Sequence, residues 1–299
     1  MTAWYDKATF YHMYPLGMTG SPFANPYPVS DGAADGTNRD VSADSRMDEL
    51  MLWIPYLESL HISAIYIGPL FESSTHGYDT RDFRLIDRRL GTNVSFRSFV
   101  DCCHEHGIRV VVDGVFNHTG REFFAFRDLQ AHRDQSPYTR WYRNVNFGWG
   151  SPLGDSFSYE SWHGIWELPC LNHKNPEVRN YLLDTVRFWV QEFDIDGIRL
   201  DCAGDLSFEF MQELRRLANK IKPEFWLMGE VIHGEYARWV NPQMLHSVTN
   251  YEMHKSIYSA HNDHNYFELA HNVRRLKRWG GISTPLWTTT SKTGSQANC

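Results

Sequence analysis

Along the 299-residue chain, short runs of consecutive apolar, mostly β-branched residues alternate with longer stretches in which apolar positions recur every three or four residues. The first pattern suits strands covered on both faces and the second suits amphipathic helices. Their alternation predicts βα units around a parallel sheet. Six runs qualify as strands, at 9–14, 64–68, 108–113, 197–201, 225–230 and 247–251. The clearest helix opens with Asn175 as N-cap and Pro176 at the first helical position, and carries Val178, Leu182, Val186, Trp189 and Phe193 along one stripe. Similar stripes run through Phe96, Phe99, Val100 and Cys103 before Gly107, and through Met211, Leu214, Leu217 and Ile221 before Pro223.

Between 120 and 171 the pattern breaks. This stretch is rich in Trp, Tyr, Phe, Gly and Ser, shows no sustained helical period, and is far longer than an ordinary βα loop. It reads as a small subdomain inserted after the third strand. The expected fold class is α/β, a (β/α)8 TIM-type barrel that stops after about six βα units. Residues 1–119 and 172–281 form the barrel, 120–171 the insert, and 282–299 an atypical polar tail. A full barrel takes about 250 residues without insertions, and after Trp279 the apolar period gives way to a Ser/Thr-rich sequence unlike a seventh strand, as in a truncated or frame-shifted product. A shorter open α/β sheet satisfies the same pattern.

Charge and composition narrow the chemistry. Twenty-nine Lys and Arg against 36 Asp and Glu give a net charge of -7, so nucleic acid and anionic membranes are not expected partners. The first ten residues carry Asp6 and Lys7, and no apolar run reaches the roughly 18 residues of a spanning helix. Five cysteines (Cys102, Cys103, Cys170, Cys202 and Cys299) without CxxC spacing suit reduced thiols, and the expected location is the cytoplasm. The 11 Trp, 15 Tyr and 18 Phe supply core volume and flat surfaces on which a ligand could stack.

The predicted strands end in polar groups. The third runs into Asp113, Asn117 and His118, the fourth into Arg199 and Asp201, and the fifth into Glu230. In a barrel such ends converge on one mouth. Side chains two apart on a strand share a face, so Arg199 is expected beside Asp201, holding it ionised as a nucleophile requires. Glu230, between Gly229 and Val231 and near Met228, is expected in a less polar pocket that keeps its proton for a leaving group. Two carboxylates so divided, about 5 to 5.5 Å apart, cleave glycosidic bonds with retention.

The segments DGVFNH (113–118), GIRLD (197–201), GEV (229–231) and LPCLN (168–172), with HGYDTRDF (76–83) after the second strand, resemble in order and spacing the signature regions of the α-amylase family of glycoside hydrolases. The resemblance covers about 11–281 and is nearest to bacterial cytoplasmic amylases and neopullulanase-like members. It implies a retaining hydrolase of α-1,4-glucosidic bonds in starch-derived glucans or maltodextrins. Asp201 is then the nucleophile, Glu230 the acid/base and Arg199 the partner of Asp201. Tyr78 would stack under the sugar, His118 would hydrogen-bond it, Asp113 would shape the site, and His233 would touch the leaving-group sugar or cap a helix. Asn117 is implied as a ligand for Ca²⁺, the one cofactor considered, with Asn144, Asn146 and Asp155 of the insert as further oxygens. The family's Asn-His-Asp triplet, which supplies a third carboxylate, is missing. The nearest match, 262–264, reads as a loop, so impaired catalysis is expected. A transglycosylase or isomerase of the same family, and a non-catalytic glucan-binding remnant using Trp141, Trp149, Trp162 and Trp166, stand as alternatives.

Overall fold

The computed structural model describes residues 2–25 and 46–278. The tail expected at 282–299, Cys299 included, lies outside them. A short 3-10 turn, Trp4–Asp6, precedes β1 (Phe10–Met13), α1 (Pro15–Met18), α2 (Arg46–Met51) and α3 (Ile54–Ser59). Then come β2 (Ala64–Ile67), the antiparallel pair β3 (Phe71–Ser73) and β4 (Thr80–Ile86), α4 (Asn93–Glu105) and β5 (Arg109–Gly114). The insert carries α5 (Phe124–His132), β6 (Ser161–Trp162) and β7 (Ile165–Pro169). The chain continues through α6 (Pro176–Phe193), β8 (Gly197–Leu200), α7 (Phe208–Ile221), β9 (Trp226–Gly229), β10 (Ser247–Val248), α8 (Tyr251–Asn262) and α9 (Phe267–Arg278).

All six expected strands are present and form one parallel sheet in the order β1-β2-β5-β8-β9-β10, six strands of a (β/α)8 barrel with β1 and β10 as its edges. The last is shorter than expected. Tyr251 begins α8 rather than ending a strand, because the Asn250 side chain accepts from the Met253 N–H and starts the helix there. Helix α6 starts as expected, with the Asn175 side chain accepting from the Glu177 N–H, and its predicted stripe is buried.

Strand side chains alternate between two environments. Ile65, Ile67, Val110, Val112, Ile198 and Leu227 join the large core beneath the helices. Trp189 of α6 anchors this layer: its ring stacks on Phe71 at 4.2 Å and its Nε1 donates to the Phe83 carbonyl at 2.6 Å. On the opposite face Tyr66, Val111, Trp226 and Met228 form a second cluster, closed by Trp4, Tyr5 and Phe10. Continuing two residues up that inner face from Val111 leads to Asp113.

The insert differs from expectation in one respect: it contains a helix, α5, burying Ala125, Phe126 and Leu129. Nine residues give too few turns for a period to stand out against neighbouring aromatics. Phe126 then packs against Tyr142, Phe157 and Tyr159, so the lobe's aromatic wealth is largely its own core.

Below β8, far along the strand from its polar end, Asp196 ties the elements together. Its carboxylate accepts from His104 Nε2 at 2.7 Å, Arg109 Nη1 at 2.9 Å and the Val110 N–H at 2.9 Å, with Lys222 Nζ 3.0 Å away. Burial alone would raise this carboxyl, but the His104 hydrogen bond, the Lys222 charge and the Val110 N–H bring it down to about 2. A folded value below the unfolded one (about 3.9) contributes stability that is present above pH 4 and lost as the pH falls through about 2. Asp196→Asn is therefore expected to cost roughly 2 kcal/mol at neutral pH. Urea denaturation of both chains should show that difference shrinking between pH 4 and pH 2.

Candidate active site

The sheet register decides which side chains meet. Asp113 on β5 lies level with Arg199 on β8, and Arg199 lies level with Met228 on β9. Asp201 and Glu230 come one step beyond the paired Leu200 and Gly229, where the Glu230 N–H donates to the Leu200 carbonyl at 2.9 Å. Asp113, Arg199, Asp201 and Glu230 thus share the inner face at the C-terminal ends of adjacent strands. Gly68, just past β2, makes room for them: a Cβ there would stand 2.5 Å from the Asp113 Cβ. Gly229 permits close packing on the opposite face, where a Cβ would meet Ala203 at 2.8 Å and Leu245 at 2.5 Å.

Arg199 is the hub. Its Nη1 donates to Asp113 Oδ1 at 2.8 Å and to Asp201 Oδ1 at 2.6 Å, and its Nη2 lies 2.8 Å from Glu230 Oε2. One guanidinium therefore faces three carboxylates, with 9% of its side chain exposed. The Tyr66 hydroxyl donates to Asp113 Oδ2 at 2.6 Å, and the Tyr251 hydroxyl to Glu230 Oε1 at 2.8 Å. Cys202 clasps both remaining carboxylates, its backbone N–H donating to Glu230 Oε2 and its thiol to Asp201 Oδ2, each at 3.2 Å. It does so from a left-handed backbone conformation (φ 47°) that a residue with a side chain seldom adopts. Ligand atoms of Asp201, Cys202 and Glu230 all lie within 4.8 Å of one another.

The surroundings act on the two carboxyls in opposite directions. Burial, with repulsion from Asp113 and Glu230, pushes Asp201 up to about 7 in spite of Arg199. Burial would also raise Glu230, but Arg199, the Tyr251 hydroxyl and the Cys202 N–H draw it below the ordinary carboxylate range. The expected apolar pocket for Glu230 is absent because three donors reach the carboxyl from other segments, and the expected private partner of Asp201 is shared among three acids. The two carboxyls titrate as a coupled pair, burial favouring a proton on Asp201 and the surrounding donors favouring the charged form of Glu230.

Tyr78 is half-buried in the loop between β3 and β4, close enough to feel Asp113, Arg199, Asp201 and Glu230. His118 is buried, and burial brings it down to about 3, so it is neutral with its Nε2 unpaired among the described residues. The Trp162 ring lies 5.7 Å from it, held by a hydrogen bond from Nε1 to Asp205 Oδ2 at 3.1 Å. Of the lobe tryptophans, Trp162 is the one brought beside a predicted sugar ligand. Trp141 is 7% exposed, Trp166 packs on Tyr159, and Trp149 stands free in solvent. His233 is exposed in the loop after β9, with no hydrogen bond to the carboxylates among the described residues. Asn262 ends α8, and Asp263 and His264 form the turn that follows, with Asp263 exposed.

The alpha-amylase catalytic domain profile matches residues 37–284. The chain belongs to the alpha-amylase family. It is 40% identical over 206 residues to a cyclomaltodextrinase of Thermoanaerobacter pseudethanolicus, covering 68% of this chain and 35% of that protein. It is 35% identical over 260 residues to neopullulanase 2 of Thermoactinomyces vulgaris, covering 85% of this chain and 43% of the relative. Among solved structures, ligand-free cyclic alpha-maltosyl-(1→6)-maltose hydrolase from Arthrobacter globiformis matches with a TM-score of 0.78 at 26% identity, over 95% of this chain and 63% of that one. The chain spans about two fifths of the length of the curated relatives it matches.

In this member of the alpha-amylase family, the corner that the resemblance gives to calcium is filled by donors of the chain itself. Asn117 Oδ1 faces Arg143 Nη2 at 3.5 Å, and Arg143 also donates to the Leu171 carbonyl at 2.9 Å and to Glu160 at 3.3 Å. A guanidinium stands where a divalent cation would have to neutralise these oxygens. Asn144 donates to Glu160, Asn146 Oδ1 accepts from the Gly148 N–H, and Asp155 is paired with Arg121 at 2.7 Å. The residues at this corner do not fit a calcium ion.

Sequence reading missed Tyr66, Cys202, Tyr251 and Arg143. Cys202 was signalled by its place directly after Asp201, and the others by nothing local. Two outcomes follow from the geometry. Arg199→Met, which leaves buried carboxylates uncompensated, is expected to lower stability by roughly 3–5 kcal/mol at neutral pH and by less in acid, where they protonate; urea denaturation across pH reads this. Calorimetric melting in EDTA and in excess calcium should give the same midpoint, and a drop on chelation would contradict the assignment of Arg143.

Proposed function

We propose that this chain carries the nucleophile and the proton donor of a retaining hydrolase of α-1,4-glucosidic bonds in maltodextrins. The observation that carries the reading is the pair Asp201 and Glu230, on adjacent strands, with side-chain oxygens within 4.8 Å and Arg199 bridging them. That spacing suits direct attack by one carboxylate on the sugar, whereas inverting enzymes hold theirs about 6.5–9.5 Å apart to admit a water. The names of relatives, cyclomaltodextrinase, neopullulanase and the intracellular maltogenic amylase of Bacillus subtilis (34% identical, 74% of this chain), favour α-glucan substrates and a cytoplasmic setting. No helix among the described residues is long and apolar enough to cross a membrane.

Tyr78 and Trp162 would offer flat surfaces to a glucose ring, and the unpaired Nε2 of neutral His118 would meet one of its hydroxyls. For the reaction to begin, Asp201 must be anionic beside Arg199 and Glu230 must hold a proton. Asp201 then attacks the anomeric carbon while the glycosidic bond breaks and its oxygen takes the proton of Glu230. In the second half, Glu230 removes a proton from water, the resulting hydroxide displaces Asp201, and the sugar leaves with its original configuration.

Asp201→Asn and Glu230→Gln are each expected to lower release of reducing sugar from maltotetraose by about a thousandfold or more, while calorimetry still detects binding. Proton NMR of the fresh product should show the α-anomer. A β-anomer, or undiminished turnover in either variant, would overturn the reading. Calorimetric binding with no turnover in the parent chain would favour the glucan-binding alternative.

A further inference from the structure

Both oxygens of Glu230 are occupied by donors, and they come from different parts of the fold. Oε2 receives Arg199 and the Cys202 N–H, both delivered by β8 and the turn after it. Oε1 receives the Tyr251 hydroxyl at 2.8 Å, delivered by the first residue of α8. That residue is placed with care. Thr249 Oγ1 accepts from the Val231 N–H at 3.0 Å, and the Thr249 N–H donates to the Gly229 carbonyl at 2.9 Å, so the end of β10 is stitched to the chain on either side of Glu230. Asn250 then caps the helix and turns the next side chain inward. Burial and the neighbouring Glu230 charge push the Tyr251 phenol up, so it stays a donor at any working pH.

Resting on the catalytic reading above, we propose that Tyr251 is a positioning residue for the proton donor: its phenol fixes the Glu230 carboxyl and sets how tightly that carboxyl holds its proton. The charged and titratable groups that also face Glu230 are Arg199, Asp201 and Cys202 from β8 and its turn, and Tyr78 from the β3–β4 loop, with Asp113 acting through Arg199. Tyr251→Phe removes one neutral donor and leaves all of these unchanged. A hydrogen bond donated to the charged form favours that form, so its loss raises the proton affinity of Glu230, by roughly half to one pH unit. Cleavage of α-maltosyl fluoride, whose leaving group needs no proton, changes little.

The test is a ¹³C NMR titration of the full chain labelled at the glutamate carboxyl carbons, with the Glu230 resonance assigned by its disappearance in Glu230→Gln. The expected result is a higher Glu230 midpoint in Tyr251→Phe than in the parent chain. An unchanged or lower midpoint overturns the proposal. Should the Phe chain lack a native near-ultraviolet circular dichroism spectrum, Tyr251→His, which keeps a ring N–H, is titrated instead and is expected to fall between the parent value and that of a free carboxyl. The titration needs no turnover, so it stands apart from the catalytic reading. That reading fails if Glu230→Gln leaves maltotetraose hydrolysis intact, whatever the titration shows.

Discussion

Arg199 sits on the inner face of the sheet where water cannot neutralise its surroundings, and its donors reach three carboxylates on three strands. Charges so buried persist only when paired, and removing the cation would leave repulsion that no other described group offsets. The arrangement fixes more than protonation. Because strand side chains alternate, a slip of one residue in β5, β8 or β9 would carry Asp113, Arg199, Asp201 or Glu230 to the helix-covered face. The site is therefore only as secure as the register, which the Trp189 layer holds from outside and the Asp196 network holds from below.

The same guanidinium couples the two acids beside it. Two acids within 4.8 Å cannot both be ionised cheaply beside a third. The donors around Glu230 favour its charge, whereas Asp201 is both buried and repelled by Asp113 and Glu230. Substrate must shift this balance, since a glycosidic oxygen arriving at Glu230 offers an acceptor for its proton and competes with the donors already present. Family membership supplies the roles of the two residues in the proposal, and the geometry supplies the donors that act on each.

The strands and their polar ends were legible in the sequence because each depends on period and neighbours alone. Asp113, Arg199, Asp201 and Glu230 could be named as a set before any register was known, since each directly follows or ends an apolar run. Tyr66 could not, because within an apolar strand an aromatic looks like core, and only the facing Asp113 reveals its hydroxyl as a donor. Tyr251 looked like the end of a strand, and its role depends on where α8 starts. The donors around Glu230 were hidden for a related reason: its surroundings were argued from residues adjacent in sequence, whereas those donors come from positions 199, 202 and 251. In the insert, α5 was too short to read, and Arg143 gave no sign that it would reach Asn117.

The most direct measurement is a crystal structure of the Glu230→Gln chain with maltotetraose bound. The account predicts a glucose ring over Tyr78, its anomeric carbon facing Asp201, the glycosidic oxygen beside residue 230, and Arg199 still joined to Asp113 and Asp201. Sugar bound away from the inner face, or carboxylates 113 and 201 separated from Arg199 in the complex, would contradict it.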